Sequence, residues 1–144
     1  MSARAAPRGA SAPLFAAWAV ALASSLAVLF IGEVLGQAPC TLCWFQRAFM
    51  FPLAVILGVA FLVGDDGVWR YGLPLAGIGT AIAAWHTLLY AGVIPEAVQP
   101  CAASGPSCTG EAMLVLGLPI PFLAALAFGT IFALLLQLRR RSPA

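Results

Sequence analysis

Long apolar runs separated by short polar connections make up most of this chain. Four runs extend over residues 14–35, 44–63, 71–94 and 120–138. Each is close to the ~20 residues that an α-helix needs to cross a hydrocarbon core of about 30 Å. The runs do not alternate with a period of two, which disfavours a transmembrane β-barrel. The pattern predicts an all-α, integral membrane four-helix bundle, with residues 1–144 forming a single domain.

The composition supports placement in a membrane. The chain is 62% hydrophobic and only 8% charged, with a mean hydropathy of +1.01. A soluble domain would lack polar surface at these values. The first run follows Arg4 and Arg8, as the apolar part of a cleavable signal peptide would, but its length favours a helix that is retained.

The arginines predict the orientation of the bundle. All basic residues are arginines, and every one except Arg47 lies in the N-terminal tail, the connection near residue 70 or the C-terminal tail. The positive-inside rule therefore places both termini in the cytoplasm. The loops 36–43 and 95–119 then face outwards. In a bacterial inner membrane this is the periplasmic or exterior side, where disulfides persist.

A Cys-x-x-Cys pair opens the second apolar run. In a helix that starts near Cys40, the side chains of Cys40, Cys43 and Arg47 share one face because they are spaced i, i+3 and i+7. The free amides of the first turn and the Arg47 cation favour thiolate over thiol. The spacing therefore predicts a reactive redox pair.

A second cysteine pair lies in the longest external loop. The residues between Cys101 and Cys108 include Ser104-Gly105-Pro106-Ser107, a strong turn composition that would let the two cysteines close a small disulfide ring. We expect this ring to be accessible and to contact a partner protein. The apolar stretch from Glu111 to Leu118 is too short to span and is expected to lie along the membrane interface.

Other roles for four external cysteines are weaker. Two purely structural disulfides are disfavoured because the first pair closes too small a loop to restrict the unfolded chain. A four-cysteine zinc or copper site is disfavoured because six residues separate Cys101 from Cys108, where paired zinc ligands usually have two to four. We therefore expect no metal site. Covalent haem attachment would need histidine where Trp44 stands.

His86 is the single histidine of the chain and lies in the third run. Ionisable side chains inside a membrane are costly and tend to face the bundle interior or a functional cavity. His86 and Arg47 both fall in the outer leaflet, so we expect them to flank one ligand. The alternative is that His86 only bonds to a neighbouring helix and supports packing.

These residues resemble a known family. The segment Pro39-Cys40-x-x-Cys43-x-x-Gln46-Arg47, His86 late in the third helix and a second cysteine pair before the fourth are similar to DsbB-type disulfide bond formation proteins. The run from Cys40 to Leu53 and the short ring resemble the BdbC branch in particular. The resemblance covers nearly the whole chain apart from the tails.

The resemblance implies a quinone-dependent thiol oxidase. Cys101 and Cys108 would exchange with a thioredoxin-fold partner of the DsbA or BdbD kind and pass electrons to Cys40 and Cys43. A membrane quinone, ubiquinone or menaquinone, would then accept them beside Arg47, Gln46 and His86. Two alternatives stay open. One is a quinone reductase like vitamin K epoxide reductase, in which the active pair belongs to a late helix. The other is a non-enzymatic membrane subunit with structural disulfides or a metal site.

Overall fold

The computed structural model describes residues 11–95, 105–109 and 114–141. Its four long helices are α1 (Ser11–Leu29), α2 (Thr41–Val63), α3 (Trp69–Tyr90) and α4 (Ile120–Arg141). A π-helical turn, Phe30–Val34, continues α1, and a 3-10 turn, Asp66–Val68, leads into α3. Two short strands, β1 (Leu114–Val115) and β2 (Leu118–Pro119), form an antiparallel hairpin directly before α4.

All four helical segments are long and apolar enough to cross a membrane. Many of their large apolar side chains point outwards, including Leu62, which is 83% exposed, and Val63, which is 72% exposed. Such a surface suits contact with lipid tails and would be unfavourable in water. The all-α membrane architecture predicted from the apolar runs is thus confirmed.

Each helix packs against two neighbours, so that the order around the bundle is α1, α2, α3, α4 and back to α1. The core includes Leu53 and Leu57 of α2 with Ile131 and Leu135 of α4, all fully buried. The contact between α3 and α4 is close because Gly79 has no side chain. A Cβ there would overlap the ring of Phe128, a small-residue contact of the kind that lets membrane helices approach.

The third helix ends earlier than its apolar run. The run predicts a helix to residue 94, whereas α3 stops at Tyr90. Gly92 adopts a left-handed conformation (φ +74), and the Val93 amide donates to the Leu88 carbonyl. This is a glycine C-cap. Amides that follow the helix donate hydrogen bonds to its last carbonyl oxygens, and the helix ends there.

The hairpin occupies part of the stretch expected along the interface. Its turn is formed by Leu116 and Gly117, both with positive φ, at 53° and 81°. Leu116 is 99% exposed at the tip. The rest of that stretch, from Glu111 to Met113, lies outside the described residues.

Candidate functional site

The first cysteine pair sits at the N-terminus of α2. Cys40 is the N-cap residue in an extended conformation, and its sulfur accepts the Cys43 amide at 3.4 Å. This capping satisfies one of the free amides of the first turn. The two sulfurs lie 2.9 Å apart as free thiols. The Pro39-Cys40-x-x-Cys43 segment thus places a pair of thiols, close enough for oxidation to a disulfide, where the chain enters the helix.

Cys40 faces the interior of the bundle. It is 1% exposed and packs in one buried cluster with Leu42, Leu89 and Cys108. Its Sγ lies 3.9 Å from Nε2 of His86, which is fully buried. Cys108 takes part in a disulfide, and because Cys40 and Cys43 are free, that disulfide involves neither of them. Cys101, the predicted partner of Cys108, lies outside the described residues.

The hydrogen bonds of His86 define its tautomer. Nε2 lies 3.1 Å from the carbonyl oxygen of Cys108. A carbonyl oxygen only accepts, so Nε2 carries the hydrogen and donates it. Nδ1 is then an acceptor and receives the side-chain amide of Gln46 at 3.1 Å. His86 therefore connects α2, α3 and the loop that carries Cys108.

The surroundings of Cys40 favour its thiolate. The hydrogen bond with the Cys43 thiol is the main reason that the pKa of Cys40 lies well below its usual range, and the bonds with His86 and the Cys43 amide lower it further. Burial acts in the opposite direction and raises this pKa, but it does not outweigh the hydrogen bonds. A depressed pKa makes a cysteine a better leaving group in disulfide exchange.

Cys43 faces a different environment. It lines a largely apolar cavity of about 660 Å³ between α1, α2 and α4, which the hairpin borders through Val115. The polar side chains on the cavity wall include those of Gln37, Cys43, Gln46 and Arg47. His86 is not part of this wall. The structure therefore brings Cys43, Gln46 and Arg47 to one cavity and places His86 behind Gln46, on the Cys40 side.

Arg47 is fixed against α1. Its Nη2 donates to the carbonyl oxygen of Val28 at 3.0 Å, and its guanidinium lies 5.4 Å from the centre of the Trp44 ring. Gly32, in the π-helical turn, leaves room for this approach, since a Cβ there would lie 3.1 Å from Nη2. A cation is thus held at the edge of an apolar cavity, where its charge is poorly screened.

Gln37 is a cavity residue that the sequence analysis missed. Its amide oxygen is buried and has no hydrogen-bond partner within the described part of the chain. An unpaired buried acceptor costs about 1–3 kcal/mol, so this oxygen is well suited to a ligand that donates a hydrogen. Gln37 lies in the short connection before α2, and the sequence there does not indicate that its side chain turns inwards.

Fold and site together define a multi-pass membrane protein with two free cysteines in contact at the head of its second helix. The sequence model of the family "Disulfide bond formation protein DsbB" matches residues 10–138. The chain therefore belongs to the DsbB family of disulfide bond formation proteins. No solved structure gives a significant match.

Curated relatives agree with this assignment. A probable disulfide formation protein of Metapseudomonas resinovorans is 60% identical over 130 residues, which cover 90% of each chain. A probable disulfide formation protein of Deinococcus radiodurans is 42% identical over 137 residues, covering 89% of each chain. Disulfide bond formation protein C of Bacillus subtilis is 42% identical over 116 residues, covering 80% of this chain and 83% of that protein. Membership of this family supports a membrane thiol oxidoreductase over the vitamin K epoxide reductase-like and non-enzymatic alternatives.

Proposed function

We propose that this protein reoxidises a thioredoxin-fold dithiol oxidase of the DsbA or BdbD kind and passes the electrons through two cysteine pairs to a membrane quinone. The proposal rests on one observation: the two cysteines of the first pair have different surroundings. Cys40 is buried beside Cys108, whereas Cys43 lines the apolar cavity with Arg47. One pair can thus receive electrons on one side and release them on the other.

The first half of the reaction is disulfide exchange. Because Cys108 is fully buried, the reduced partner attacks Cys101 of the disulfide proposed between Cys101 and Cys108 and expels the Cys108 thiolate. The second thiol of the partner then displaces Cys101, and the partner leaves with a disulfide of its own. The Cys108 thiolate then attacks Cys40 of the Cys40–Cys43 disulfide and expels the Cys43 thiolate. Cys101 attacks Cys108 in turn and expels the Cys40 thiolate, so the loop disulfide forms again and the first pair is reduced. Cys40 and Cys108 belong to one buried cluster, and the Cys40 sulfur and the Cys108 carbonyl oxygen both lie close to Nε2 of His86, which supports this route.

We propose that His86 assists the exchange. Its Nε2–H points to both the Cys108 carbonyl and the Cys40 sulfur, and Gln46 keeps Nδ1 as the acceptor. A donor at this position stabilises negative charge on Cys40 as it leaves. In this proposal, His86 acts on the cavity only through Gln46, which both bonds to His86 and lines the wall.

The cavity has the properties expected of a quinone site. Its volume of about 660 Å³ lies within the 300–1,000 Å³ typical of small-molecule sites, and its wall is mostly apolar with a few polar groups. A bound quinone would accept the two electrons and two protons of the dithiol. Arg47 would stabilise negative charge that develops in the cavity, and Gln46 and Gln37 would orient the head group by hydrogen bonds.

The proposed location is the bacterial inner membrane. The arginines of the tails and of the α2–α3 connection favour the cytoplasm for both termini. In this orientation the cysteine pairs lie on the periplasmic or exterior side, where a secreted dithiol partner could reach them.

The test is oxidation of a reduced DsbA-like protein by purified protein in detergent, with and without added quinone. We expect catalytic turnover only with quinone, and one reduced quinone for each disulfide formed. Co-purified quinone, identified by mass spectrometry, would name the acceptor. Sustained turnover after complete quinone removal under anaerobic conditions would contradict the proposal.

A further inference from the structure

We propose that the reduced pair Cys40 and Cys43 forms, with His86, a redox-gated binding site for a thiophilic divalent cation such as Zn²⁺. The two Sγ atoms and a ring nitrogen of His86 all lie within 4.8 Å of one another, and Cys40 and His86 are buried. This ligand set differs from the four-cysteine site considered above, because it uses only the first pair. It departs from the expectation that the protein has no metal site.

The distances suit tetrahedral coordination. With Zn–S bonds of about 2.3 Å and Zn–N bonds of about 2.0–2.1 Å, the ligand atoms should be about 3.6 Å apart for sulfur and nitrogen and about 3.8 Å for two sulfurs. The Cys40 sulfur is 3.9 Å from His86 Nε2. The two sulfurs, at 2.9 Å, would have to separate by about 0.9 Å, which needs only a small side-chain rotation.

The neighbours of His86 can complete such a site. Coordination through Nε2 moves the ring hydrogen to Nδ1, where Gln46 now donates at 3.1 Å. A half-turn of the Gln46 amide would present its oxygen to Nδ1–H, the outer hydrogen bond that metal-bound histidines usually make. The Cys108 carbonyl oxygen, 3.1 Å from Nε2, would lose its donor and become available as a fourth ligand.

The proposed metal site exists only when Cys40 and Cys43 are reduced, because its charge balance requires two thiolates. Two thiolates in this buried position are unfavourable alone, but a divalent cation makes the set neutral. When Cys40 and Cys43 form a disulfide, neither sulfur is a thiolate and the site is lost. The cation would therefore bind only the reduced protein and withhold both sulfurs from reoxidation.

The test uses Cd²⁺ as a spectroscopic probe. The Cys101→Ser/Cys108→Ser variant, in detergent and free of quinone, removes the competing thiols; it is reduced with a phosphine that is then washed away. We expect one Cd²⁺ per protein with thiolate-to-metal absorbance, and no binding after the Cys40–Cys43 disulfide is formed. Adding His86→Ala should weaken binding at least ~10-fold. Thr87→Ala, the neighbouring position, should leave the affinity unchanged.

A gain-of-ligand variant guards against loss of folding. His86→Cys, in the same background, should restore the affinity and raise the thiolate absorbance by about half, since three sulfurs replace two. Equal affinity in His86→Ala and its parent, or binding by the oxidised protein, would overturn the proposal. No partner or quinone is present, so this result is independent of whether the protein is a quinone-dependent oxidase.

Discussion

The two sulfurs of the Cys-x-x-Cys pair lie in contrasting regions, although they are 2.9 Å apart. The Cys40 region is packed, with Cys40, His86 and Cys108 almost fully excluded from the surface. The Cys43 region is an open apolar cavity of about 660 Å³ with a fixed cation at its edge. The first region suits exchange between neighbouring sulfurs, and the second suits a lipid-soluble ligand. The difference suggests that Cys40 and Cys43 link two half-reactions, one in each region.

We expect the largest effect from loss of the Cys108 thiol in the packed Cys40 region. Cys108→Ser should reduce oxidation of the partner to the uncatalysed rate, because no loop thiolate remains to attack Cys40. Added quinone should still re-form the Cys40–Cys43 disulfide in this variant, since the cavity side is untouched. Thiol trapping by mass spectrometry after quinone addition measures both effects. Full partner oxidation by Cys108→Ser would mean that the partner reduces the first pair directly.

Substitution of His86 tests whether this side chain acts in the Cys40 region or in the cavity. Loss of a positioned donor typically costs about 10²- to 10⁴-fold in rate. We therefore expect His86→Ala to slow turnover about 100-fold while kcat/KM for quinone stays within about twofold, because the quinone half-reaction is unchanged. Quinone titrations at saturating partner separate the two parameters. A large rise in the KM for quinone with little change in kcat would place His86 at the quinone site, as its outer-leaflet position in the sequence predicts.

Arg47 should show the opposite behaviour. Arg47→Ala removes the cation at the cavity edge, and we expect the KM for quinone to rise at least ~10-fold, while exchange between the two cysteine pairs continues. Arg47→Lys should have a smaller effect because it keeps the charge but loses the planar fork. Arg70→Ala is a matched control, since Arg70 stacks on Trp69 at the start of α3. If Arg47→Ala and Arg70→Ala have equal KM values, Arg47 is only an interfacial anchor.

The smallest effect is expected at Gln37. Its unpaired amide oxygen is an acceptor that a reduced quinone, with two hydroxyl donors, could use. Gln37→Leu should weaken inhibition by the reduced product about 2- to 10-fold, as expected for one neutral hydrogen bond. Product-inhibition constants measure this directly. Unchanged or tighter inhibition would show that Gln37 does not bond to the ligand.

Sequence reasoning was sufficient for the architecture because a membrane leaves few choices. Long apolar runs must form helices, and their length sets how many cross. The ends of the helices are less predictable from the sequence. The glycine C-cap of α3 at Gly92 and the hairpin before α4 depend on local backbone conformation, which an apolar run does not encode.

The site was only partly predictable for a similar reason. Helical spacing placed Cys40, Cys43 and Arg47 on one face, but Cys40 is an extended N-cap residue, so its side chain leaves the helical periodicity and turns towards α3. Periodicity also could not tell that Gln46 separates His86 from the cavity. Gln37, outside any helix, carried no pattern at all. Each of these features depends on contacts between elements that are distant in sequence.

Trapping of the Cys40–Cys108 disulfide tests most directly whether Cys40 and Cys43 have separate roles. In Cys43→Ser/Cys101→Ser, the two remaining cysteines are Cys40 and Cys108. Because both lie in one buried cluster beside His86, we expect them to form a disulfide rapidly under mild oxidation. In Cys40→Ser/Cys101→Ser, the cavity-facing Cys43 should form a disulfide with Cys108 far more slowly. Peptide mass spectrometry without reduction measures both rates. Equal rates in the two variants, or faster bonding of Cys43 to Cys108, would contradict the account.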